Sequence, residues 1–302
     1  MMVKFLRWLI LGVTLFFLLK TFHQHWQDVL EIQLRLAQLK YSAIALLATL
    51  IAHVWSGIVW AGILKFLNQP TSLSWVLPVY LQTNLAKYIP GNMWHFYGRI
   101  RAMQKAGANL DVATLITLLE PLLMATAAVL IAIVTTQHSG LIREQNQVYQ
   151  ILPFLFAGTV LMGIHPRVLN PLLTLAGRLK KKPFAESHPK INQYPWLPLL
   201  GEIGFVLLRG SGFIIVIAGF VPVQMEELPL LLGGFSIAWF FGLVIPSPGG
   251  IGIFEGSAIA LLSPSFPTAI LLSSLALFRL ISLSAEAIAA GLSWGMKFAI
   301  NH

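Results

Sequence analysis

The chain is a succession of long apolar runs separated by short polar, proline-rich or basic stretches. Residues 8–19, 42–67, 111–136, 148–164, 196–221 and 228–245 are apolar over most of their length. A helix needs about 20 such residues to cross a bilayer, so these runs predict six spans. A short apolar half-helix follows at 256–262, then an apolar stretch at 268–300 that is either two short helices or one long one. The predicted class is all-α: a polytopic membrane bundle of about seven or eight spans in one transmembrane domain, 1–302.

Two regions break the pattern. Residues 74–101 are partly apolar yet carry Pro78, Gln82, Asn84, Lys87, Pro90, Gly91, Asn92 and Arg99. Two short helices joined at Pro90 and Gly91 fit, either re-entrant in the bilayer or lying as an amphipathic hairpin on the cytoplasmic surface. The second region is IPSPGGIGIFE at 245–255, with Pro246, Pro248, Gly249, Gly250, Gly252 and Glu255 directly after an apolar run. Proline removes a backbone donor and glycine tolerates positive φ, so a helix arriving at Pro246 breaks there. This is either an interhelical turn or irregular backbone at membrane depth, which persists only inside protein or beside a wet cavity. Interruptions at corresponding places in two halves, 1–165 and 196–302, point to a transport site where a structural repeat meets itself. Identity between the halves is negligible, and the repeat is an expectation about shape.

Ionisable residues inside the predicted spans mark the candidate site. Glu120 lies within 111–136 beside Pro121. A charged side chain at the centre of a span costs about 2.5–3.5 kcal/mol even on the mildest scale, so Glu120 requires a partner, and Arg99, Lys87 and Arg209 are the candidates. Glu202 and Arg209 are seven residues apart and share a helical face with several glycines, as do Arg279 and Glu286 in the last run. His53 interrupts 42–67 and suits a hydrogen bond to a neighbouring helix.

Composition confirms the class and charge sets the topology. The chain is 57% hydrophobic and 10% charged, against about a quarter charged in soluble proteins. Its net charge of +9 is concentrated between apolar runs, which indicates cytoplasmic loops and anionic lipid surfaces and no nucleic-acid partner. Lys4 and Arg7 place the N-terminus inside, ahead of an uncleaved first span in the cell membrane. Residues 21–40 read as an amphipathic helix on the outer surface, where His23 and His25 lack a third metal ligand nearby. Residues 166–195 form a basic cytoplasmic loop, and 222–227, with two acids and no bases, lies outside. There are no cysteines, so disulfides, thiol catalysis and Cys-based metal sites are excluded, and no cofactor or metal motif is present.

Four segments, in order, carry a family likeness: LAKYIPGNMWHFYGR at 85–99, the intramembrane acid Glu120, HPRVLNPLL at 165–173, and IPSPGGIGIFEGSAIALL at 245–262. Together they resemble the lysylphosphatidylglycerol synthase transmembrane family over nearly the whole chain. The resemblance implies a lipid-handling protein whose larger relatives move aminoacylated phosphatidylglycerol between leaflets and carry a separate soluble synthase domain. This chain ends at His302, so translocation without synthesis is the expectation. Where the family often has an arginine after the acid, this chain has Pro121, which favours a distant partner for Glu120.

The leading function is therefore a flippase-like translocator of membrane phospholipid. Lys87, Arg99, Arg209 and Arg279 would line the cavity or contact phosphate, and Glu120, Glu255 and Glu286 would balance them or meet a cationic head group. The alternative is a non-catalytic membrane partner of a cell-envelope or glycolipid-synthesising enzyme. An intramembrane protease is disfavoured: Ser236 sits in a rhomboid-like GFSI, but the only histidine after His188 is His302. Topology is directly testable because the chain has no native cysteine. Lys181→Cys should be shielded from a membrane-impermeant maleimide in intact cells, whereas Gln224→Cys should be labelled; the reverse pattern would invert the assignment.

Overall fold

A computed structural model describes residues 36–89, 93–138, 147–179 and 190–300. Ten α-helices and no strand occur among them. In chain order these are α1 (Leu36–Phe66), α2 (Leu73–Asn84), α3 (Trp94–Lys105), α4 (Leu110–His138), α5 (Gln147–Gly163), α6 (Pro166–Leu179), α7 (Trp196–Ala218), α8 (Leu228–Val244), α9 (Ile253–Leu262) and α10 (Thr268–Ile300). Five of them, α1, α4, α7, α8 and α10, are long and apolar enough to cross a membrane, as a multi-pass membrane protein requires. The bent pair α5 and α6 would make a sixth. The run 8–19, the histidines at 23 and 25, and most of the predicted amphipathic stretch lie outside the described residues.

Observed boundaries follow the apolar runs because helices in an apolar medium must keep every backbone hydrogen bond internal. The last run is one helix of 33 residues. It is uninterrupted because Pro264 and Pro267 both fall before its first turn, where proline does no harm. Residues 166–195 depart from the predicted loop: their first half is α6, which meets α5 at 58°. Pro166 occupies the first helical turn, where its fixed φ favours initiation. Val168, Leu169, Leu172 and Leu173 then repeat at helical spacing, a pattern overshadowed in sequence by the basic residues beyond it. Asn170 secures the following chain by exchanging two 2.9 Å hydrogen bonds with the backbone of Ile191.

The bundle is built around α7, which lies along α1 in the most extensive helix contact and also touches α4, α8 and α10. Small residues make this approach possible. A Cβ on Gly201 would sit 2.8 Å from the Val59 side chain, and one on Gly204 would sit 3.1 Å from the Trp55 indole. Trp55 Nε1 also donates to the Gly201 carbonyl at 2.8 Å. The core towards α8, α9 and α10 is aromatic, with Phe213, Phe235, Phe254 and Phe278 in mutual contact at centroid separations of 5.6 to 6.3 Å. Such pairs add about 0.5–1.5 kcal/mol each beyond burial, and they hold the broken region of the chain against α7 and α10.

The Gly201 contact gives a stability test. Gly201→Ala should destabilise the protein by about 1–3 kcal/mol through overpacking. Val59→Ala in the same background should return most of that loss, read as thermal unfolding midpoints in detergent.

Candidate functional site

Both interruptions of the apolar pattern converge on one cavity. On the first side, α2 tightens into a 3-10 turn, Leu85–Tyr88, and Ile89 is extended before α3 begins. Pro90, Gly91 and Asn92 lie outside the described residues. On the second side, α8 ends at Val244, Ile245 is extended, and a 3-10 turn at Pro248–Gly250 leads into α9. Gly249, Gly250 and Gly252 all have positive φ, at 60°, 71° and 87°, a region costly for side-chain-bearing residues. The two turns touch, since a Cβ on Gly249 would lie 2.5 Å from the Tyr88 ring, and the second turn packs back on α8, where a Cβ on Gly250 would lie 3.3 Å from the Gly242 carbonyl oxygen.

The second break is held by one ion pair. Glu255 accepts the Gly252 N–H at 2.7 Å, satisfying an orphan donor at the start of α9. Arg279 donates to the same carboxylate from Nε at 2.8 Å and also from Nη2, and its Nη1 donates to the Gly249 carbonyl at 3.0 Å. Glu255 and Arg279 thus serve the backbone of the break as well as each other's charge.

The first break is held by two pairs. Arg99 Nη1 donates to Glu120 Oε2 at 2.5 Å, and the Tyr80 hydroxyl donates to Oε1 at 2.6 Å. The guanidinium also lies 3.9 Å from the Tyr80 ring centroid. Arg99 and Glu120 are 2% and 3% exposed, a depth at which either would be untenable alone. Of the three cations that could have met Glu120, Arg99 is the one that does. Lys87 instead donates to Glu286 Oε1 at 2.6 Å, and His53 Nε2 approaches the same oxygen at 3.3 Å. Outside the spanning helices, burial and the nearby Arg99 and Lys87 push the His95 imidazole down to about 3, so it is neutral. Burial also draws the Lys87 ammonium below its usual range despite Glu286.

The cavity measures ≈ 180 Å³. Lys87, Arg99, Glu120, Arg209, Arg279, Gly249 and Gly250 line it, together with His53, Tyr80, Asn84 and His95. Glu255 and Glu286 stand behind the wall as counterions of Arg279 and Lys87, while Pro246 and Gly252 flank the second turn and Pro248 opens it. Glu202 is fully buried, and neither of its carboxyl oxygens has a hydrogen-bond partner among the described residues. The shared helical face of Glu202 and Arg209 thus produces no hydrogen bond between them. Sequence reasoning passed over Tyr80 and Trp239. Tyr80 is the only one with a readable signal, a phenol among polar residues in a segment that must shelter Arg99.

The buried pair of Arg99 and Glu120 makes a specific prediction. Arg99→Met should cost about 3–5 kcal/mol by stranding a carboxylate, whereas Arg99→Met with Glu120→Leu should be markedly more stable than the single variant. Unfolding in mixed micelles measures both. Neither the protein-family models nor the curated proteins provide a match to this chain, and the site is characterised by its own geometry.

Proposed function

We propose that the protein is a flippase-like translocator of phospholipid in the cell membrane, with its N-terminus on the cytoplasmic side and no covalent chemistry of its own. One observation carries this reading: two helix breaks and four cations surround a single cavity inside an otherwise apolar bundle. A polar passage bounded by membrane-spanning helices lets a head group cross while acyl chains remain in hydrocarbon. A second, apolar cavity of ≈ 790 Å³ between α4, α5 and α8 supports it. α4 and α8 also wall the polar cavity, so acyl chains would find surface on the same two helices. The resemblance to the lysylphosphatidylglycerol synthase transmembrane family points the same way and brings aminoacylated phosphatidylglycerol forward as one candidate lipid.

Purified protein in liposomes should move tail-labelled fluorescent phospholipid from the inner leaflet to a membrane-impermeant quencher outside. Gly249→Ala strains a positive-φ position against the Tyr88 ring. At about 1–3 kcal/mol for such strain, it should slow transfer about five- to a hundredfold. Protein that is folded yet moves no lipid across a panel of anionic, zwitterionic and cationic head groups sinks the proposal.

A further inference from the structure

Three of the four cations lining the cavity have a carboxylate of their own: Arg99 has Glu120, Lys87 has Glu286 and Arg279 has Glu255. Arg209 does not. Its Nη2 donates to Ser282 Oγ at 3.1 Å, while Nε and Nη1 have no hydrogen-bond partner among the described residues. It is 4% exposed, so bulk water does not serve those donors. The guanidinium lies against the Trp239 and Phe278 rings, at 5.2 and 4.9 Å from their centroids. The two rings flank the guanidinium and offer no acceptor lone pair, so Nε and Nη1 remain as donors without a partner among the described residues. Trp239 lines the same cavity, and its indole Nε1 is likewise without a partner among the described residues.

Nearby acids do not fill the gap. Glu286 accepts from Lys87 on Oε1, which His53 Nε2 also approaches; its Oε2 has no hydrogen-bond partner among the described residues, but Glu286 does not line the cavity. Glu202 lies seven residues before Arg209 on α7, is not among the cavity-lining residues, and has Glu120 and Arg99 as its charged neighbours. Glu120 is the one acid in the wall, and both its oxygens are occupied by Tyr80 and Arg99. An ammonium entering the cavity would meet no free carboxylate among the lining residues. An anionic group would meet two unpaired guanidinium donors, Nε and Nη1 on different edges of Arg209, and the unpartnered Trp239 N–H.

On the reading of the cavity as a lipid passage, we propose that it binds the phosphate of an anionic phospholipid and disfavours zwitterionic lipids. Arg209 is the charge-determining ligand and the Trp239 N–H a second donor. The site differs in this from one adapted to a cationic head group. Charge-assisted, two-point recognition sets the size of the preference, about ten- to a hundredfold.

The test is binding, separate from transfer. Full-length protein in neutral detergent is titrated with short-chain phosphatidylglycerol, short-chain phosphatidylcholine and inorganic phosphate, and affinity is read by thermal shift and native mass spectrometry. Phosphatidylglycerol should bind about ten- to a hundredfold more tightly than phosphatidylcholine. Arg209→Gln should abolish that preference, and Arg209→Lys should keep part of it. Trp239→Phe retains the ring and removes only the donor; it should weaken phosphatidylglycerol a few-fold and leave phosphatidylcholine unchanged, which keeps the test decisive if Arg209→Gln does not fold. Equal affinity for the two lipids, or a preference that survives in Arg209→Gln, overturns the proposal. Inorganic phosphate binding through Arg209 with no response to phosphatidylglycerol overturns the lipid assignment in favour of a soluble anion. A protein that transfers both lipids equally in liposomes would keep the translocation reading and lose this one.

Discussion

A helix that stops inside an apolar bundle leaves N–H and C=O groups that lipid cannot satisfy, and most of the polar architecture follows from that constraint. Between Val244 and Ile253 the orphaned groups are met by side chains from the same neighbourhood: Glu255 takes the Gly252 N–H, and Arg279 gives to the Gly249 carbonyl. The two side chains then neutralise each other. One ion pair thereby satisfies one N–H and one C=O of the interrupted backbone, and the glycines give the chain the positive φ values that let it fold back within reach.

The three ion pairs share a design. Each joins a short or broken element to an uninterrupted span: Arg99 of α3 to Glu120 of α4, Lys87 of the first turn to Glu286 of α10, and Glu255 of α9 to Arg279 of α10. Buried pairs contribute little net stability, since desolvation offsets much of the attraction, but removing one partner is severe. Their effect is to fix position. Elements too short to anchor themselves by apolar burial are held where they must be to enclose the cavity, and wrong placements would strand a charge.

The spans were legible because about 20 consecutive apolar residues have few alternatives to a membrane helix. The breaks were legible because proline and glycine clusters rarely continue a helix. Arg99 and Glu120 could be narrowed to a short list, since a carboxylate at that depth requires a cation. Lys87 and Glu286, separated by 199 positions, could not be paired, because nothing local records which spans will be neighbours. α6 was hidden behind the basic run that follows it. Glu202 and Arg209 share a helical face, as their seven-residue spacing requires, but the spacing does not record their surroundings: Arg209 lines the cavity and Glu202 does not.

α10 carries Arg279 and Glu286 seven residues apart, with opposite charges serving opposite breaks. It acts as a tie-rod between the two halves of the cavity wall. A slide or rotation of α10 by even part of a turn would load the Arg279 and Lys87 contacts together, so neither side of the wall can be repositioned independently while both bonds hold. The two turns that meet at Tyr88 and Gly249 are thereby both tied to one helix, at points about two turns apart along it.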